Sequence, residues 1–367
     1  MSAVTSDPKI LHNFNAGPAV LPREVFEEAS RAVLNFNDTG LSLLEIGHRT
    51  KLFQPVLDEA IALMKELMEL DSEHEVLFMH GGASTQFFQV PMNLLDEGGT
   101  ASYTDTGTFA AKALKEARGF GNVEVVCSSK ESRYNHLPKG WTADPASAYL
   151  HLTSNNTIEG TQWQDLQPFY DSGIPLVADM SSDILSRRLD FNRFDFIYAG
   201  AQKNIGAAGV NIVVVNPRCL GKVNRKLPSM MDYRQHIDNG SMLNTPPVFA
   251  IYICMLTLRW LKAYGGVGVM EADNRRKAAL FYDTLDRLPL FRGTVAPEDR
   301  SIMNGCFVID DPAVEKEFLQ WCEREHMVGI KGHRSVGGFR ISMYNALPYE
   351  SVVAITDLMR EFAAKRG

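Results

Sequence analysis

The sequence predicts an α/β fold, with a large domain whose seven-stranded, mostly parallel sheet is flanked by helices and a smaller α+β domain after it. Three observations predict it. From Glu75 onward, short apolar runs alternate with segments of helical spacing, which is the rhythm of βαβ units. Several runs, FDFIYAG from Phe194 and VNIVVV from Val210 among them, are almost continuously apolar, as strands buried on both faces are. The 367 residues also exceed what one small core organises, which suits two domains.

The elements follow in order. Pro22 to Phe36 has apolar residues at helical spacing with proline near its start, and Lys51 to Leu70 repeats the pattern more strongly, so two amphipathic helices are expected. EVLFMH is the first strand, ending at His80; a glycine turn, a helix to Leu95, the strand ASYT, a helix from Thr108 to Arg118 and the strand VEVVC follow. AYLHL at Ala148, IPLVAD at Ile174, FDFIYAG and VNIVVV complete the seven. Pro228 to Pro247 is polar and contains Pro and Asn, and is expected to be a long functional loop. Helices resume at Val248 and Val269. NGCFVID, a helix from Ala313 to His326, GGFRISM and a closing helix from Glu350 to Ala364 build the smaller domain.

Composition narrows the function. The chain has 37 basic and 44 acidic residues, a net charge of −7, which opposes nonspecific binding to nucleic acid or anionic membrane. Five scattered cysteines without CxxC spacing indicate neither a disulfide framework nor a zinc site, so no metal is expected. The start, MSAVTSDPKILHNFN, lacks a secretory pattern, and the apolar stretch VFAIYICMLTL is too short to span a bilayer. A cytoplasmic protein is expected.

The chemistry concentrates at strand ends. Lys203 follows FDFIYAG, and ligands of such sheets gather beyond the carboxyl ends of the strands. A free lysine has a pKa of about 10.4, so amine chemistry near neutrality requires desolvation, a cationic neighbour or conversion to a Schiff base. Asp179 ends IPLVAD. In HGGASTQF a strand ends at His80, two glycines follow and a helix begins, so the backbone N–H groups of Ala83, Ser84 and Thr85 can form an anion site. Taken singly, these are a surface lysine, a turn-capping aspartate and a tight turn. Together they are an amine, a carboxylate and a phosphate cradle, the set a pyridoxal phosphate electron sink needs.

NFNAGPAVLP, GHRTKLF, HGGASTQF, ADMSSDILSR, YAGAQKNIG, NTPPVFAIY and KGHRSVGGFRISMYNA resemble, in order along nearly the whole chain, the signature segments of the phosphoserine aminotransferase family, in the fold type I pyridoxal phosphate group. The resemblance implies a homodimer with active sites at its interface and one cofactor per subunit. It implies an N-terminal segment at 1–20 joining the small domain, a large cofactor domain at 21–265 and a small domain at 266–367. Lys203 would form the Schiff base, and Asp179 would pair with the pyridine nitrogen. Phe109 would stack on the ring and Thr157 would contact the phenolic oxygen. Gln202 and the amides of Ala83 and Ser84 would hold the phosphate, with Asn244 and Thr245 from the other subunit. Arg340 would bind the substrate α-carboxylate; His333 and Arg334, with His48 and Arg49 of the other subunit, would bind its phosphate. Ser84 departs from some relatives, which carry arginine there.

The implied reaction moves the amino group of L-glutamate to 3-phosphohydroxypyruvate, giving O-phospho-L-serine and 2-oxoglutarate with ping-pong kinetics. 4-Phosphohydroxythreonine is the alternative substrate that these motifs do not separate. A cysteine desulfurase lacks a cysteine in a Gly/Ser-rich loop, and a nucleotide-dependent dehydrogenase lacks its glycine fingerprint. A nonenzymatic regulator or scaffold of the same fold would have no use for Lys203 and Asp179.

Overall fold

Period-two burial organises the main sheet, because every strand at its centre must satisfy an apolar layer above and another below. The computed structural model describes residues 11–366, so residues 1–10 of the expected N-terminal segment lie outside the described part. In chain order the first elements are β1 (His12–Asn13), α1 (Arg23–Leu34), α2 (Gln54–Leu67), β2 (Glu75–His80), α3 (Ala83–Leu94), β3 (Thr100–Asp105), α4 (Thr108–Ala117) and β4 (Asn122–Ser128). The middle holds β5 (Leu150–Thr153), the small hairpin β6 (Asn155–Asn156) and β7 (Thr161–Gln162), α5 (Gln167–Tyr170), β8 (Leu176–Asp179), β9 (Phe196–Gly200) and β10 (Val210–Val215). Then come α6 (Tyr233–Asp238), α7 (Val248–Ala263), α8 (Gly266–Arg287), β11 (Arg292–Gly293), β12 (Asn304–Val308), α9 (Pro312–Arg324), β13 (Met327–Val328), β14 (Phe339–Ser342) and α10 (Tyr349–Ala364).

Seven strands form one sheet in the order β2-β10-β9-β8-β5-β3-β4. The run from β9 to β4 is parallel, whereas β10 is antiparallel to both neighbours. The loop from β9 to β10 is too short to hold a crossover helix, so the chain can only return antiparallel. One face buries Leu150, Leu152, Ala178, Ile197 and Ile212 against α1, α2 and α7. The other buries Val177, Tyr198 and Val213 against α3, α4 and α6. Alternate residues serve opposite layers, which is why the strands read as unbroken apolar runs.

A separate core gathers Phe281, Phe307, Phe318, Phe339 and Phe362 around the antiparallel sheet β11-β12-β14 and helices α8, α9 and α10. Phe14 belongs to this core, and β1 pairs in parallel with β13. The N-terminal segment therefore crosses to the last hundred residues of the chain before entering α1.

The expected loop from Pro228 to Pro247 differs from the observed structure. It contains α6, whose first turn is capped by the Asp232 side chain accepting from Arg234 N at 3.0 Å. Tyr233 anchors it, fully buried against Phe196 with ring centroids 4.8 Å apart. A helix of under two turns leaves too little periodicity for a sequence pattern to register. Among the described residues no single helix is long and apolar enough to cross a membrane; α7 and α8 pass that test only as a pair bent by 82°.

Candidate active site

β8 and β9 are adjacent and parallel, so Asp179 at the end of one and Lys203 just beyond the other reach the same rim of the sheet. Lys203 is 9% exposed, and its Nζ donates to Thr157 Oγ1 at 2.7 Å. The Phe109 ring lies beside it, its centroid 5.6 Å from Nζ. Burial pushes the Lys203 ammonium down to about 8; Asp179 opposes that shift and Arg340 adds to it. Burial also pushes the Asp179 carboxyl above its usual range, against the Ser181 hydrogen bonds and the Lys203 charge. Ser181 N donates to Asp179 Oδ1 at 2.9 Å, which fixes the carboxylate's rotation.

The start of α3 faces this pair. Gly82 caps the helix in an extended conformation without a side-chain hydrogen bond, so the first N–H groups of the helix are left for a ligand. Gly81 has φ +92°, and a Cβ there would stand 2.6 Å from Thr85 Oγ1, so only glycine makes this turn without displacing the helix. Lys203, Asp179, Thr157, Gln202, Phe109, Ala83 and Ser84 line one cavity of about 160 Å³.

Phe109 is aimed by its neighbours. The first turn of α4 is capped by Glu159, whose Oε1 accepts from Thr108 N at 2.9 Å and from Thr108 Oγ1 at 2.6 Å. A Cβ on Gly107 would fall 2.3 Å from Asn156 Oδ1, so that glycine permits the close approach of α4 to the loop carrying Thr157. The aromatic ring and the hydroxyl are thereby fixed as one unit.

Cations surround the mouth. Arg340, on β14, donates from Nη1 to Thr157 O at 3.4 Å, and its Nε has no partner although buried. His333 bonds Ser335 Oγ at 2.7 Å, and burial followed by the charges of Arg340, Arg334 and Lys112 lowers its pKa. Lys112 was not among the expected residues; on α4 it reads as an ordinary solvated lysine. Of the remaining expected residues, His48 is half-buried with Nε2 unpartnered, while Arg49, Asn244 and Thr245 are exposed. None of these four lines the Lys203 cavity of its own chain. Thr153, Asn155, Ser181 and Ser182 do line it and were missed, although the polar letters after the strand in ADMSSD were a signal for the two serines.

Among the described residues, the buried Thr153 Oγ1 has no partner. An uncapped helix start, a buried carboxylate, a desolvated amine, an aromatic face and an orphan hydroxyl fit a flat, phosphorylated pyridine aldehyde. The fold and the site thus define a pyridoxal phosphate-dependent enzyme of the aminotransferase kind. The chain belongs to the Aminotransferase class-V family, whose model matches residues 11–355. Within that family it groups with the phosphoserine aminotransferases. It is 54% identical over 353 residues to phosphoserine aminotransferase of Bacteroides thetaiotaomicron, covering 96% of this chain and 98% of the relative. Its structure is similar to phosphoserine aminotransferase from Bacillus circulans subsp. alkalophilus, with a TM-score of 0.94, 45% identity, and 98% and 99% of the two chains covered. It is also similar to the PLP-bound enzyme from Trichomonas vaginalis, with a TM-score of 0.90, 35% identity, and 96% and 100% covered.

Proposed function

We propose that the chain transfers the amino group of L-glutamate to 3-phosphohydroxypyruvate, giving O-phospho-L-serine and 2-oxoglutarate. The observation that carries this reading is the chain of contacts from Lys203 Nζ through Thr157 to Arg340, which sets a nucleophilic amine beside a guanidinium. Bound pyridoxal phosphate supplies the electron sink that makes the substrate Cα–H acidic. Lys203 Nζ takes that Cα proton as general base and returns it as general acid, a role suited to an amine lowered to about 8. The Asp179 carboxylate, in the lining of the cavity, would hold the proton on the pyridine nitrogen of the bound cofactor. Phe109 would hold the face of the cofactor ring, Thr157 its phenolic oxygen, and Gln202 with the amides of Ala83 and Ser84 its phosphate.

Arg340 binds the α-carboxylate, for which a planar guanidinium is the matched fork. His333, Arg334 and the neighbouring Lys112 hold the substrate phosphate, joined by His48 and Arg49 of the partner subunit. Asn244 and Thr245 of the partner subunit complete the cofactor phosphate site. A homodimer is supported by the absence of these four residues from their own chain's cavity and by the exposure of Leu34, Leu41 and Leu44 close to His48 in sequence. Sulfur transfer is disfavoured: burial pushes all five thiols up to about 12, and none lines the cavity.

The test is kcat/KM for 3-phosphohydroxypyruvate, the keto acid derived from 4-phosphohydroxythreonine, and unphosphorylated oxoacids, each with glutamate as donor. The reading expects the first to exceed unphosphorylated analogues by at least about a hundredfold, the scale of losing a buried charge-assisted contact. Equal rates with and without phosphate would defeat it, and a preference for the longer substrate would redirect it.

A further inference from the structure

Behind Lys203 lies a polar cluster that the chemistry above does not use. Asn204 follows Lys203, Asn274 sits on α8, and Asn345 follows the strand β14 that carries Arg340; all three are buried. Asn345 N donates to Asn204 Oδ1 at 3.1 Å, and Asn345 Nδ2 donates to Leu185 O at 3.0 Å. Asn204 Nδ2 donates to Ile184 O at 3.2 Å. Asn274 Nδ2 closes the joint, donating to Asn345 Oδ1 and to Ser186 O, each at 2.9 Å.

Three parts of the site meet here. Residues Ile184 to Ser186 continue the turn that begins after Asp179, Asn204 continues the Lys203 loop, and Asn345 continues the Arg340 strand. Leu185 is held at φ +56°, a left-handed conformation that persists only where its surroundings dictate it. A buried amide is costly where a group is left unpaired, as Asn274 Oδ1 is here, yet the hydrogen bonds that join the three asparagines to one another and to the 184–186 turn are directional in a way that apolar packing is not. Adhesion between these segments is already provided by their apolar cores. Direction is what the asparagines add.

We propose that Asn345, acting with Asn204 and Asn274, is a positioning residue that fixes the Arg340 guanidinium relative to the Lys203 amine and so sets how a substrate carrying an α-carboxylate is presented. The proposal rests on the reading of Arg340 as the α-carboxylate ligand. Its test compares two reagents that displace Lys203 from the cofactor: hydroxylamine, which has no carboxylate, and aminooxyacetate, which has one. Loss of the visible Schiff-base band times both reactions in the wild-type holoenzyme and in Asn345→Ala, Asn274→Ala and Arg340→Ala, with melting temperatures recorded alongside.

In Asn345→Ala the aminooxyacetate-to-hydroxylamine ratio of second-order rate constants should fall about tenfold, since a displacement near 1 Å costs up to about a hundredfold. Asn274→Ala keeps the links from Asn345 to Asn204 and Leu185, so its ratio should fall less. If Asn345→Ala does not accumulate as folded holoenzyme, Asn274→Ala decides by the same criterion. Equal slowing of both reagents, or an unchanged ratio, while Arg340→Ala lowers it, overturns the proposal and leaves the joint merely structural. An unchanged ratio in Arg340→Ala overturns the reading of Arg340 itself, and the positioning role with it.

Discussion

Among the described residues two lysines are buried, Lys203 and Lys277, and they do opposite things. Burial lowers Lys203 to about 8 and Lys277 to about 7, so by desolvation alone the second is the better candidate nucleophile. Their surroundings separate them. Lys277 Nζ donates to three backbone carbonyls, Tyr344 O at 2.9 Å, Leu347 O at 3.2 Å and Asn345 O at 3.4 Å, which matches the three N–H bonds of an ammonium. Lys203 Nζ makes one hydrogen bond, to Thr157, and otherwise faces a cavity, an aromatic ring and a carboxylate. A depressed pKa therefore marks burial. Unspent hydrogen-bonding capacity beside open space marks chemistry.

The largest effect should come from exchanging this contrast for its absence. Lys203→Ala should lower kcat by at least about a thousandfold, the scale of losing a general acid–base. Borohydride reduction followed by mass spectrometry should then find no cofactor on the chain. Lys277→Ala should keep the visible Schiff-base band but leave buried carbonyls unpaired, at a cost of about 3 kcal/mol in denaturant unfolding. Cofactor lost from Lys277→Ala and retained covalently by Lys203→Ala would invert the assignment.

The same contrast explains what could be read from the sequence. Lys203 and Asp179 were legible because a continuous apolar run announces a buried parallel strand, and ligands collect at its carboxyl end. Lys277 was not, because in ADNRRKAALF it sits among charges that suggest a solvated helix face. Its burial depends on carbonyls of the loop after β14, which no local pattern encodes. Asn204 and Asn345 stood inside segments already recognised, KNIG and YNA, yet their partnership exists only once two separate cores meet. For Arg340 the residues alone offered an anion-binding guanidinium; its assignment to the α-carboxylate came from the family resemblance, and its contact with the Thr157 carbonyl needed the fold. His48, Arg49, Asn244 and Thr245 came from the family resemblance alone, and within one chain they stand away from the cavity.

A smaller effect tests the open side of Lys203. Phe109→Ala removes a ring that should stack on the cofactor but leaves the amine in place. Aromatic stacking contributes about 1 kcal/mol, so cofactor dissociation measured by gel filtration or fluorescence should weaken about fivefold. Covalent attachment at Lys203 should persist. Were affinity unchanged, the ring would be ordinary packing and the cavity less specific than its lining suggests.

The finest test counts protons. Lys203 is held at about 8, below the 10.5 of an exposed lysine, so its amine becomes neutral as pH rises through about 8. The rate at which the cofactor-free chain captures pyridoxal phosphate should climb across that point and level off, as followed by stopped-flow absorbance. Asp179 opposes the depression, so Asp179→Asn should move the midpoint lower. Lys277 should show only the thermodynamic side. Its folded value of about 7 lies below the unfolded 10.5, so between those values the unfolded chain binds more protons and stability must rise with pH. Lys277→Met removes that contribution, while the capture midpoint stays with Lys203. If that substitution moved the capture midpoint, or if wild-type capture turned on only near the pKa of an exposed lysine, the two lysines would not be divided between structure and chemistry as their surroundings require.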